Sequence, residues 1–135
     1  MRTRACNAAM RRGRLRKAEQ FLEAAELVVD DKPRDVSDAY VTLCVHAGIA
    51  ASDVICCARL GEHAQGESHA HAVALLRTAD KDAAKHLSTL LGLKTKSGYS
   101  HMPVTAGELK RAGRAAEALA EAARRAHASG GGSAT

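Results

Sequence analysis

Four stretches of the chain place apolar residues at steps of three and four, the spacing that lines one face of an α-helix. The first runs from about Leu15 to Asp30, with Ala18, Phe21, Leu22, Ala25, Val28 and Val29 on one stripe and Lys17, Glu19, Gln20, Glu23 and Glu26 facing water. Pro33 ends it. The second spans about Val36 to Leu60, with Asp35 or Ser37 at its N-cap and Gly61 as its stop. Between Ala39 and Ala58 its one permanent charge is Asp53. The third begins after Ser68 and carries Ala72, Val73, Leu76, Ala79, Ala83, Leu87, Leu90 and Leu91. Polarity rises near Thr78–Asp82, which predicts a kink or break there. Gly92 and Gly98 bracket its end, and residues 97–104 read as a loop. Thr105 and Glu108 then form a capping-box pair. The last helix follows to about Ala128, with Leu109, Ala112, Ala116, Leu119, Ala123 and Ala126 as its seam.

These four stripes, joined by connections of a few residues, predict an all-α fold: an antiparallel up-and-down bundle of about four long helices. The second helix is the most apolar and belongs at its centre. Its length also suits a membrane span, but Thr42, His46, Gly48, Ser52 and Asp53 argue against one. Composition agrees with helices. Aromatics make up 2% of the 135 residues, so Ala and Leu must fill the core, and both favour helix. Strand-forming residues are too sparse for an extensive sheet.

Charge divides the chain unevenly. Residues 1–17 hold seven basic side chains and no acidic one, whereas the whole chain carries +5. The expected organisation is a basic arm over residues 1–13, a bundle over 14–128 and a flexible Gly/Ser tail over 129–135. Arg11, Arg12 and Arg14 in or beside the arm are candidates for contact with nucleic acid or an acidic partner. The arm lacks the apolar stretch of a secretory signal. Cys6, Cys44, Cys56 and Cys57 show no disulfide framework, and three of them lie in apolar sequence, which predicts reduced thiols and a cytoplasmic protein.

Candidate chemistry is thin. His63, His69 and His71 cluster, but His69 and His71 diverge on a helix and lack partners at ligand spacing, so no metal site or cofactor is expected. His46 and Asp53 are seven apart and share one helix face, roughly 10 Å apart along the axis. A carboxylate on so apolar a helix needs a cation. Lys94, Lys96 or an arginine of the last helix is the expected partner. No strand-associated phosphate loop and no Ser or Cys nucleophile with a partner is present.

Several segments together resemble the HEPN family of small helical bundles, found in prokaryotic toxin–antitoxin and defence systems. They are Ala47-Gly48-Ile49-Ala50-Ala51-Ser52-Asp53, Leu60-Gly61, the turn from Gly66 to His69, Leu75-Leu76, and Leu93-Lys94 through Tyr99 ahead of the Ala-rich last helix. The resemblance covers roughly residues 14–127. Active members carry an arginine, four to six residues and then a histidine, which bring a cation and an acid–base group to one phosphate. This chain has no such arginine. Lys94 precedes His101 by six intervening residues and Lys96 by four. A lysine lacks the planar fork that grips phosphate in two places.

The resemblance therefore implies a module without catalysis, acting by dimerisation or by association with a partner or nucleic acid. It implies a homodimer, a protein partner such as a nucleotidyltransferase-type antitoxin, RNA or DNA as a further ligand, and no membrane. The enzymatic alternative is a metal-independent endoribonuclease. His101 would move the proton of a ribose 2′-hydroxyl, Lys94 or Lys96 would stabilise the phosphorane, and Tyr99 would support the loop.

Overall fold

The computed structural model describes residues 2–29 and 35–131. It is an all-α bundle with one very small sheet. In chain order the elements are β1 (Thr3–Ala5), α1 (Ala8–Val29), α2 (Ser37–Leu60), β2 (Glu62–Ala64), α3 (His69–Ala79), α4 (Lys81–Gly98) and α5 (Ala106–Ala126), followed by a π-helical turn at His127–Gly131. Pro33, the last residue of the expected first helix at Asp30, and the end of the expected tail lie outside the described residues.

α2 is the centre of the bundle. α1, α4 and α5 all pack on it, and Val41, Ala47, Ala50, Ala51 and Val54 are fully buried. α1 runs antiparallel to α2: Arg14 meets Asp53, and one heptad further along α1, Phe21 meets His46, one heptad back along α2. α5 runs parallel to α2, as a diagonal pair in an up-and-down bundle does, yet the two still pack closely. Small residues permit this. A side chain at Gly48 would collide with Leu90 of α4 and press on Leu119 of α5, and the facing seam of α5 is largely alanine. The apolarity of α2 is accounted for in the same way. It is long and apolar enough to cross a membrane, and 67% of its most apolar window is buried inside the bundle.

The helix ends follow local chemistry. Asp35 accepts the backbone N–H of Ser37, but the N-cap position itself falls on Val36. Gly61 takes the left-handed conformation (φ 74°) that closes α2, and its N–H bonds Cys57 O. The expected break near Thr78–Asp82 is real and falls at Asp80. That residue is extended, donates its N–H to Leu76 O to end α3, and accepts the N–H of Ala83 to start α4. The bundle thus has five helices among the described residues, with α3 a short fifth. α4 continues through Gly92, which lies on the exposed side, and ends at Gly98 rather than before 97. The Thr105–Glu108 capping box forms as expected, with both reciprocal bonds present.

The N-terminal segment departs most from expectation. Residues 3–13 are not an arm outside the bundle. β1 pairs antiparallel with β2, matching Thr3 to Ala64 and Ala5 to Glu62, and α1 starts at Ala8, seven residues before the expected helix start at Leu15. Asn7 caps this start by accepting the N–H of Met10. Cys6 bonds Cys57, so the expectation of four reduced thiols is also corrected. The reason is topological. Gly61 reverses the chain after α2, β2 recruits β1, and Cys6 N–H bonds Gly61 O, which sets Cys6 against the last turn of α2. Cys44 and Cys56 remain free and buried.

Candidate functional site

Two polar places flank α2, one near each end. The first centres on Asp53. Its carboxylate accepts a hydrogen bond from Arg14 Nε at 2.9 Å, and His63 Nδ1 of β2 lies 3.8 Å from the other oxygen. The ring nitrogen of His63 also approaches Ala64 O at 2.8 Å. Burial pushes the Asp53 carboxyl above its ordinary range, and the charges of Arg14 and His63 only partly offset this. The expected partners, Lys94, Lys96 or an arginine of α5, are not the ones found. The partner comes from α1, because the α1 helix starts early enough to carry Arg14 alongside α2.

Beside Asp53, between α2, α3, α4 and the turn after β2, is a cavity of about 260 Å³. Ile49, Ala72, Leu87 and Leu91 give it an apolar wall, and Ser52, Asp53 and Lys94 add polar groups. Lys94 shares this cavity with Asp53 without being within 4 Å of it. Glu67, Ser68 and His69 form part of the lining from the turn side.

The second place lies at the other end of α2. Lys96 Nζ donates to Glu108 at 2.9 Å, and the same Glu108 oxygen accepts Thr105 N–H at 2.8 Å. These bonds hold the Glu108 carboxyl far down, at about 2. Asp38 of α2 accepts Val104 N–H and pins the loop that follows α4. Tyr99, His101 and Met102 stand exposed on that loop.

The residues singled out from the sequence therefore separate. Lys94 faces the cavity, Lys96 is committed to the cap of α5, and His101 is in solvent. Gly98 lies opposite Thr42. Asp53 is eleven residues further along α2, roughly 16 Å away, so His101 and Asp53 belong to different places. His46 is exposed and stacks on Phe21, with ring centroids 5.4 Å apart, and does not join Asp53 in a shared pocket. Arg11 is buried and donates from Nε to His127 Nδ1 at 2.9 Å, which ties α1 to the turn after α5. Arg12 is exposed and Arg14 is the Asp53 partner.

Sequence reasoning missed the role of His63 and the Cys6–Cys57 bond. Only the glycine at position 61 hinted at either, since a tight reversal there returns the chain along the end of α2. Cys56, next to the bridged Cys57, has its thiol pushed up to about 12 by burial and then by the Asp53 charge. It stays protonated near neutrality, the form in which a thiol is a weak nucleophile. Comparison with protein-family models finds no match to this chain, and comparison with curated proteins finds none either.

Proposed function

We propose that this chain is a non-catalytic association module of HEPN type, acting as a homodimer in a toxin–antitoxin or defence setting. The observation that carries this reading is the dispersal of the groups a ribonuclease mechanism needs. Metal-independent cleavage requires a cation and an acid–base group within hydrogen-bond reach of one phosphate. Lys96 is held by Glu108, Lys94 borders a cavity on the flank, and His101 is exposed beyond the end of α4.

Association is supported by the loop itself. Tyr99 is 81% exposed and Met102 53% exposed, and large residues of these types act as anchors in protein interfaces. The loop is held by Asp38 beneath Val104, so little ordering is needed on docking. Sedimentation or light scattering of the full chain should show a dimer, and the double variant Tyr99→Ser/Met102→Ser should shift it to monomer. A wild-type chain that stays monomeric at every concentration tested would sink the reading. RNA cleavage without added metal that disappears in His101→Ala would replace it with the endoribonuclease alternative.

A further inference from the structure

We propose that the cavity beside Asp53 binds a small aliphatic carboxylate, with Lys94 taking the carboxylate and the tail lying along Ile49, Ala72, Leu87 and Leu91. The site is separate from the Tyr99–Met102 loop and does not depend on dimerisation.

The charge arrangement selects the ligand. Asp53 is already engaged by Arg14 and approached by His63, so it has no further need of a cation. Lys94 is half-buried and, among the described residues, has no carboxylate within ion-pair distance. An ammonium at the edge of an apolar wall is completed by an anion that brings its own apolar surface. Phosphate and sulfate lack that surface. Glu67 also lines the cavity, but it is exposed and lies on the turn rather than on α4. A bound carboxylate is therefore held at the Lys94 side.

Size points the same way. About 260 Å³ is the liquid volume of eight or nine waters at roughly 30 Å³ each. A chain of about six to eight carbons fits within it, whereas a nucleotide or a long acyl chain does not. Ser52, which is buried, adds to the α2 wall with its hydroxyl already bonded to the Cys56 thiol.

The test is calorimetric titration of the full chain at neutral pH with octanoate, L-leucine and octanol. Octanoate should bind, and Lys94→Met should weaken it about tenfold, the loss of one charge-assisted contact. Octanol should bind more weakly than octanoate and equally in both proteins. Ala72→Phe, which fills the cavity, should abolish octanoate binding. Absence of octanoate binding overturns the proposal, as does equal binding by wild type and Lys94→Met. Tighter binding of leucine also overturns it, since the ammonium would then be recognised. Lys94 is only partly buried, so Lys94→Met keeps the test decisive if Ala72→Phe fails to fold. Octanoate affinity should be unchanged in Tyr99→Ser/Met102→Ser, which separates this site from the dimer reading.

Discussion

Arg14–Asp53 and Lys96–Glu108 look alike by geometry. Each has an N···O distance of 2.9 Å, a cation side chain 31% exposed and a carboxylate 16% exposed. Their carboxyls nevertheless move in opposite directions, Asp53 up and Glu108 down to about 2. The difference lies in what surrounds each oxygen. Asp53 sits on the wall of the central helix with the α1 and β2 segments closing over it, and desolvation outweighs its one strong hydrogen bond. Glu108 sits in the first turn of α5, where it takes both the Lys96 ammonium and the Thr105 N–H, near the positive end of the helix dipole. Distance and exposure alone do not fix the sign of an ion pair's contribution. The number of donors and the surrounding low-polarity atoms do.

The comparison also sets what holds each end. The Asp53 end is closed by a covalent bond across 51 residues, the Glu108 end by caps. Cys6→Ser should therefore be the most costly change, about 2–4 kcal/mol by loop-closure entropy, read from urea unfolding under non-reducing conditions. A loss well under 1 kcal/mol would mean that the hairpin and the Arg11–His127 contact close that end without it. Arg14→Met comes next, at about 1–3 kcal/mol at pH 7, because it leaves the Asp53 charge desolvated, moderated by the partial exposure of the site. The corresponding Lys96→Met should cost clearly less than Arg14→Met, since Glu108 is solvated and keeps its Thr105 N–H. Equal losses in these two variants would break the contrast between the pairs. Thr105→Ala should cost about 1 kcal/mol, the ordinary worth of an N-cap side chain.

The bundle was legible because its helices carry strong periodic stripes and conventional stops. Gly61, Asp80 and the Thr105–Glu108 box all act locally, so their effect can be read from neighbouring residues. The Asp53 cluster was legible only in part. The sequence marks Asp53 as a charge needing a partner, but Arg14, His63 and Cys57's partner Cys6 are brought there by a chain reversal and an early helix start. Residues 8–14 have no apolar stripe to announce a helix. Their Arg-rich composition reads as a solvated arm, although tertiary contact through Cys6 and buried Arg11 orders them. Contacts between distant segments carry no local signature. The cavity was invisible for the same reason, since its wall draws on α2, α3 and α4 together.

The smallest expected effect is also the sharpest test of the two carboxylates. Asp53→Asn removes a charge that is costly to bury while Arg14 keeps partial access to water, so stability at pH 7 should match or slightly exceed wild type. The pH dependence separates the two sites further. A carboxyl raised in the folded state binds its proton more tightly there than in the unfolded chain. The Asp53 contribution is thus present below the unfolded value near 3.8 and is lost as pH rises through its higher folded value. Glu108 behaves in reverse: its contribution is present above 4.5 and is lost as pH falls from there toward about 2. Thermal melts between pH 2.5 and 7 should show Asp53→Asn losing stability more steeply in acid than wild type, because the opposing Asp53 gain is gone. Glu108→Gln should lose less steeply. Parallel acid limbs in both variants would show that the two carboxyls titrate alike after all, and that the resemblance in distance and exposure was the better guide.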